Sequence, residues 1–108
     1  MTTLVIAEGL PALLKCHIRG DHPIQVMWKK NSIVLKEDGR VIPTVSGSNS
    51  TVVDAQLKIQ ASERSDSGIY ICVGSNLYGR DEAQINLQVR GLLYLLAKHW
   101  AYRTVLYF

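Results

Sequence analysis

The chain has 108 residues, 12 Lys/Arg against 9 Asp/Glu for a net charge of +3, with 47% apolar and 19% charged residues. That is one domain's length, and apolar enough to bury a core rather than stay disordered. The mild charge comes with no basic block, zinc pattern or aromatic RNA platform, which argues against nucleic-acid binding. The two cysteines exclude a multi-bridge scaffold and a four-cysteine metal site, and leave room for one disulfide.

No secretory leader follows Met1: the apolar run at residues 4–7 is far shorter than the roughly 7–15 residues such a leader needs. If the domain is extracellular, its targeting signal lies outside this chain. After a turn at Glu8-Gly9-Leu10-Pro11, Leu14, Cys16 and Ile18 alternate with Lys15 and His17, the period of a strand with one buried face. Arg19-Gly20-Asp21-His22-Pro23 follows as a turn. Ile24, Val26 and Trp28 then alternate with Gln25 and Met27. Turn residues recur at 30–32, 37–39 and 46–50, the last a Ser/Gly-rich loop carrying the sequon Asn49-Ser50-Thr51. Val53, Ala55, Leu57 and Ile59 alternate with Asp54, Gln56, Lys58 and Gln60, which predicts a half-buried antiparallel strand. One short helical turn is expected around residues 62–67. Tyr70 and Cys72 then share a face of a strand near 69–74, and a turn at Leu77-Tyr78-Gly79 leads to the cleanest alternation in the chain. There Ala83, Ile85, Leu87 and Val89 face one way and Glu82, Gln84, Asn86 and Gln88 the other.

The composition breaks near Gly91. Residues 91–108 hold Lys98, Arg103 and no acid, together with Tyr94, Trp100, Tyr102, Tyr107 and Phe108, five of the eight aromatics. Their longest apolar run stops at Lys98, well short of the about 20 residues a membrane span needs. A surface-lying amphipathic helix is one reading of this tail. The reading preferred is that 1–90 is the domain and 91–108 is not part of it, as from read-through past a splice boundary or the wrong start of a next module. Strands separated by turns every 8–12 residues predict an all-β sandwich or barrel for 1–90.

Cys16, Trp28 and Cys72 all fall on inward positions of predicted strands, Trp28 following Cys16 by 12 residues and Cys72 following Trp28 by 44. Asp66-Ser67-Gly68-Ile69-Tyr70-Ile71-Cys72 precedes the second cysteine, and Ser75-Asn76-x-x-Gly79 follows it. This order of motifs resembles the immunoglobulin superfamily, and within it the I-set type, over about residues 3–90. The resemblance implies an immunoglobulin-like, two-sheet antiparallel sandwich with Greek-key topology. It implies a Cys16–Cys72 bridge between the sheets, with Trp28 packed on the sulfurs. It also implies a Tyr70 hydroxyl turned back to a main-chain carbonyl near 62–66, with Asp66 paired to a basic residue, for which Arg40 is the candidate. Gly68 belongs to the same fold-defining set. Family members begin with a longer strand, kinked at a proline, ahead of the first cysteine. Only fifteen residues precede Cys16 here, so the first strand is expected to be truncated.

Gly20-Asp21-His22-Pro23-Ile24 leading to Trp28-Lys29-Lys30, then residues 53–59, then Arg64-Ser65-Asp66-Ser67-Gly68, resemble the Down syndrome cell adhesion molecule family, its arthropod members in particular. Residues 75–82 with the strand that follows resemble one of its later immunoglobulin domains. The implied parent is a long, single-pass neuronal receptor acting in homophilic adhesion and self-recognition during axon and dendrite patterning. Its partner would be a second copy or another immunoglobulin-superfamily receptor. The domain would then sit on the extracellular side of the plasma membrane, attached only through other parts of that receptor.

Other residues weigh less. Arg19-Gly20-Asp21 spells an integrin-recognition tripeptide, but turn chemistry already accounts for Gly20, Asp21 and Pro23. Asn49 would carry a glycan if the chain passes through the secretory route. His17, His22 and His99 lack partners at metal-ligand spacing, and no phosphate loop, nucleophile elbow or paired carboxylates appear. The chain therefore reads as a non-enzyme with no cofactor, metal or small-molecule substrate. Two alternatives to the adhesion module stay open. One is an intracellular structural module like those of giant muscle proteins, and the other a truncated gene product without independent function.

Overall fold

A strand whose apolar residues alternate buries one face and wets the other, so two such sheets close on each other. Residues 1–47 and 51–91, which the computed structural model describes, adopt this arrangement. In chain order the strands are β1 (Thr2–Ala7), β2 (Ala12–Arg19), β3 (Gln25–Lys30), β4 (Ile33–Val34), β5 (Val41–Ser46), β6 (Val52–Ile59), β7 (Gly68–Asn76) and β8 (Gly79–Arg90). A single 3₁₀ turn, Arg64–Asp66, precedes β7. One sheet has five strands in the order β1-β8-β7-β3-β4, and the other three in the order β2-β6-β5. The chain changes sheet after β1, β2, β4 and β6, which is Greek-key connectivity.

The core lies between the sheets. Val53, Ala55, Leu57 and Ile59 of β6 are all fully buried. Ala55, Leu57 and Ile59, together with Leu14 of β2, pack with Trp28, Tyr70, Cys72, Ile85, Leu87 and Val89 from the larger sheet. Each large side chain fully buried this way contributes about 1.5–3 kcal/mol. Gly74 of β7 permits a close approach: a Cβ there would come within 3.0 Å of Ile18. β3 and β4 are joined by the two-residue turn Asn31-Ser32, both at positive φ, the geometry that matches the twist of a tight hairpin.

Three features depart from the alternation pattern. β1 pairs in parallel with β8, from Thr2 opposite Ile85 to Ala7 opposite Arg90, whereas every other pair is antiparallel. The chain runs up one sheet edge and then crosses directly into β2 of the other sheet. β5 has no alternation to read, because only Val41 of its six residues is buried. It is a sheet edge, where Pro43 costs no ladder hydrogen bond. Ala83 shares the inward side of β8 with Ile85, Leu87 and Val89, yet it is exposed. β1 covers β8 only from Ile85 onward.

Candidate functional site: an apolar outer face

The residues that define the fold converge at its centre and floor. Cys16 of β2 and Cys72 of β7 form a disulfide between the sheets, with Cα atoms 6.4 Å apart. Trp28 lies opposite Cys72 in the β3–β7 register and is buried against it. At the floor, Asp66 ends the 3₁₀ turn and is 5% exposed. Its carboxylate accepts two hydrogen bonds from the Arg40 guanidinium, at 2.8 and 2.9 Å, and one from the Glu63 N–H at 2.7 Å. Burial alone would push this carboxyl up, but those three bonds more than offset it and hold it below the usual carboxylate range. Arg40 is aimed by a turn in which Asp38 Oδ1 accepts the N–H groups of Arg40 and Val41.

The Tyr70 hydroxyl donates to the Asp66 carbonyl at 2.6 Å. Burial, then the Asp66 charge, push its pKa up to about 12. Lys30 sits over the Tyr70 ring, 5.8 Å from its centroid, and donates to the Ser65 carbonyl. Gly68 leaves room for the Asn31 side chain, whose oxygen accepts the Ile69 N–H. These contacts hold the elements together.

The remaining sequence candidates are dispersed. Arg19 and Asp21 are exposed at the end of β2, and the Asp21 carbonyl accepts a bond from Asn76. His17 pairs with Asp54 at 2.5 Å on the outside of the small sheet. Asn49, His99 and the aromatic tail lie outside the described residues. Among the described residues no three His, Cys, Asp or Glu converge as a metal site would need.

What the structure assembles instead is a surface. On β8, the outward row Glu82, Gln84, Asn86 and Gln88 is polar, as a solvated sheet face should be. On the neighbouring β7 the outward row is Ile69, Ile71 and Val73. Met27 lies opposite Val73, and Lys29 lies between Ile71 and Val34 across β3 and β4. Met27 is 36% and Val34 50% exposed, Ile69 and Ile71 are half-buried, and Val73 is 3% exposed, covered within the row. The result is an apolar strip along the middle of the five-stranded sheet, with Lys29 and Gln25 on one side and Glu82, Gln84 and Asn86 on the other. An apolar centre with a polar rim is the anatomy of a protein interface.

The strip runs up β7 toward the β7–β8 turn, where Leu77 and Tyr78 are 83% and 82% exposed. Asn76 Oδ1 accepts the N–H groups of Tyr78 and Gly79, fixing the turn that displays them. The signal for this face is present in the sequence. Residues 69–74 are apolar at almost every position, so both faces of the strand are apolar, and pattern reading that looks only for the buried face passes over the second.

The immunoglobulin I-set domain family matches residues 1–89. The cell adhesion molecule Dscam1 of Drosophila melanogaster is 40% identical over 86 residues, which is 77% of this chain and 4% of Dscam1. Dscam2 of the same organism is 32% identical over 90 residues, 82% of this chain and 4% of Dscam2. The chain therefore spans only a small part of the relatives it matches. Among solved structures, the complex of titin M10 with an obscurin-like 1 immunoglobulin domain gives a TM-score of 0.75 at 26% identity, covering 83% of this chain and 87% of that one. With the two-sheet topology, the inter-sheet disulfide and a match across residues 1–89, the chain belongs to the immunoglobulin I-set family.

Proposed function

We propose that this chain is a non-catalytic recognition module, one extracellular immunoglobulin domain of an adhesion receptor on neurons, and that its partner is a second copy. Residues 1–90 are the domain in this reading, and 91–108 lie outside it. The apolar outer face formed by half-buried Ile69 and Ile71 of β7 with exposed Met27 of β3 is the observation that carries the proposal. Likeness to the Dscam adhesion molecules supports it. The Cys16–Cys72 disulfide and the Asn49 sequon support an oxidising, secretory setting. The charges beside the strip support self-recognition. A two-fold axis along β7 lays β3 of one copy over β8 of the other, so Lys29 lies over Gln84 of the second copy and diagonal to its Glu82, twice. Guidance of axons and self-recognition of dendrites are the cellular roles that follow from such pairing.

Beads coated with the domain test this directly. Coated beads should cluster, and Met27→Glu, which puts a charge into the strip at an already exposed site, should abolish clustering without changing the denaturation midpoint. Beads that stay dispersed, or that cluster equally with Met27→Glu, would refute self-docking through this face. The titin likeness favours a second reading, an intracellular structural module. Free thiols and no glycan mass in the native protein would decide for it.

A further inference from the structure

We propose that the outer face of the three-stranded sheet binds a linear sulfated polysaccharide lying along β2. The cations that would hold it are scattered in the sequence, and the sheet register gathers them. β2 turns Leu13, Lys15, His17 and Arg19 outward, and β6 turns Asp54, Gln56 and Lys58 to the same side. Lys58 lies opposite Leu13, hence diagonal to Lys15. Lys15 and Arg19 are about 13 Å apart along the strand, and Lys58 extends the line by about 7 Å. Asp54, the acid of this face, is held by His17 at 2.5 Å. Lys15, Arg19 and Lys58 have no carboxylate in ion-pair reach among the described residues. Like charges at diagonal positions repel, and an anion laid along the row relieves that repulsion.

The rest of the face selects the kind of anion. β5 adds half-buried Ile42 with exposed Thr44 and Ser46, and Leu13 is 43% exposed. No aromatic ring stands on this face among the described residues, so it offers neither an anchor for a protein partner nor a platform for stacked bases. A polysaccharide needs neither. Its sulfates pair with the three cations, and its hydroxyls suit Gln56, Thr44 and Ser46. Side chains stand roughly perpendicular to a sheet, so a further strand beside β2 would widen this face and not cover it. The face belongs to the opposite sheet from the β7 strip, so polysaccharide binding and self-docking are read separately.

The probe is a heparin-derived octasaccharide titrated into the full chain labelled with ¹⁵N, with the desulfated octasaccharide and an octaglutamate peptide as controls. The expected result is saturable shifts at residues 13–19 and 54–58 with the sulfated sugar alone, and none at residues 69–71. Three cations releasing about three counterions should make the affinity fall roughly thirtyfold between about 50 and 200 mM salt. Lys15→Glu with Lys58→Glu, both exposed, should abolish the shifts, and the milder Lys15→Ala should weaken binding about fivefold. Lys36→Glu, which changes an exposed cation outside this face, should leave binding unchanged. The proposal is overturned if the sulfated sugar shifts none of these residues, or if the desulfated sugar binds equally well. It is equally overturned if Lys36→Glu weakens binding as much as Lys15→Ala, or if octaglutamate binds as tightly, which would assign the face to an acidic protein.

Discussion

Asp66 joins three segments: its carboxylate accepts from the Glu63 N–H of the 3₁₀ turn and from Arg40 on the β5 approach, and its main-chain carbonyl accepts from the Tyr70 hydroxyl of β7. Removing the carboxylate strands a guanidinium and a buried N–H, so Asp66→Ala should cost about 3 kcal/mol in a urea melt at pH 7. Tyr70→Phe removes one hydrogen bond and should cost about 1 kcal/mol in the same assay. The pH dependence follows from the direction of the shift. Asp66 ionises more readily folded than unfolded, so its contribution is complete above the ordinary carboxylate pKa of about 4. It is lost as pH falls through the lowered folded value. Melts from pH 7 to pH 2 should therefore decline less steeply for Asp66→Ala than for the native chain. Tyr70 acts at the other end: its contribution is complete below about pH 10 and fades as pH rises through about 12. The positions of Cys16, Trp28, Tyr70 and Cys72 are legible because each sits on a strongly periodic strand. The bonds of Asn31 and Asn76 are not, because they join segments 38 and 55 residues apart that only the sheet order brings together.

At the scale of the element, β8 is two strands in one. From Ile85 to Val89 its inward residues are buried and β1 lies alongside, whereas from Gly79 to Gln84 both faces meet solvent. Native-state hydrogen exchange should resolve this. Amides near Ile85, Leu87 and Val89 should exchange at the global unfolding rate, and those near Gly79 and Asp81 roughly a hundredfold faster. Uniform protection along β8 would mean that the first half is covered in solution. The alternation from 82 to 89 reveals the strand and its inward side, but not where its cover ends, because that depends on the length of a neighbour whose paired residues lie 83 positions earlier in the chain, as Thr2 does from Ile85. β7 presents the converse case. Its apolar residues on both faces are plain in the sequence, and their meaning appears only once β3 is seen to add Met27 to the same row. β5 is illegible for a simpler reason: an edge strand with one buried residue leaves no period to detect.

For the whole molecule, the disulfide and the outer face decide most. The bridge spans 56 residues of chain, and closing a loop of that length is worth about 4 kcal/mol in the chain-entropy treatment. Domains of this kind are stable by only about 5–15 kcal/mol, so reduction should lower the urea midpoint markedly. An unchanged midpoint would assign the stability to the core alone. The sandwich class is readable from turn spacing and motif order, while the apolar outer face requires the sheet order. Sedimentation of the native chain, of Lys29→Glu, of Glu82→Lys and of the two changes combined tests self-recognition most directly. Concentration-dependent dimers of the native chain, monomers for each single reversal and restored dimers for the pair are the expected result. A native chain that stays monomeric, or single reversals that dimerise as well as the native chain, would contradict it.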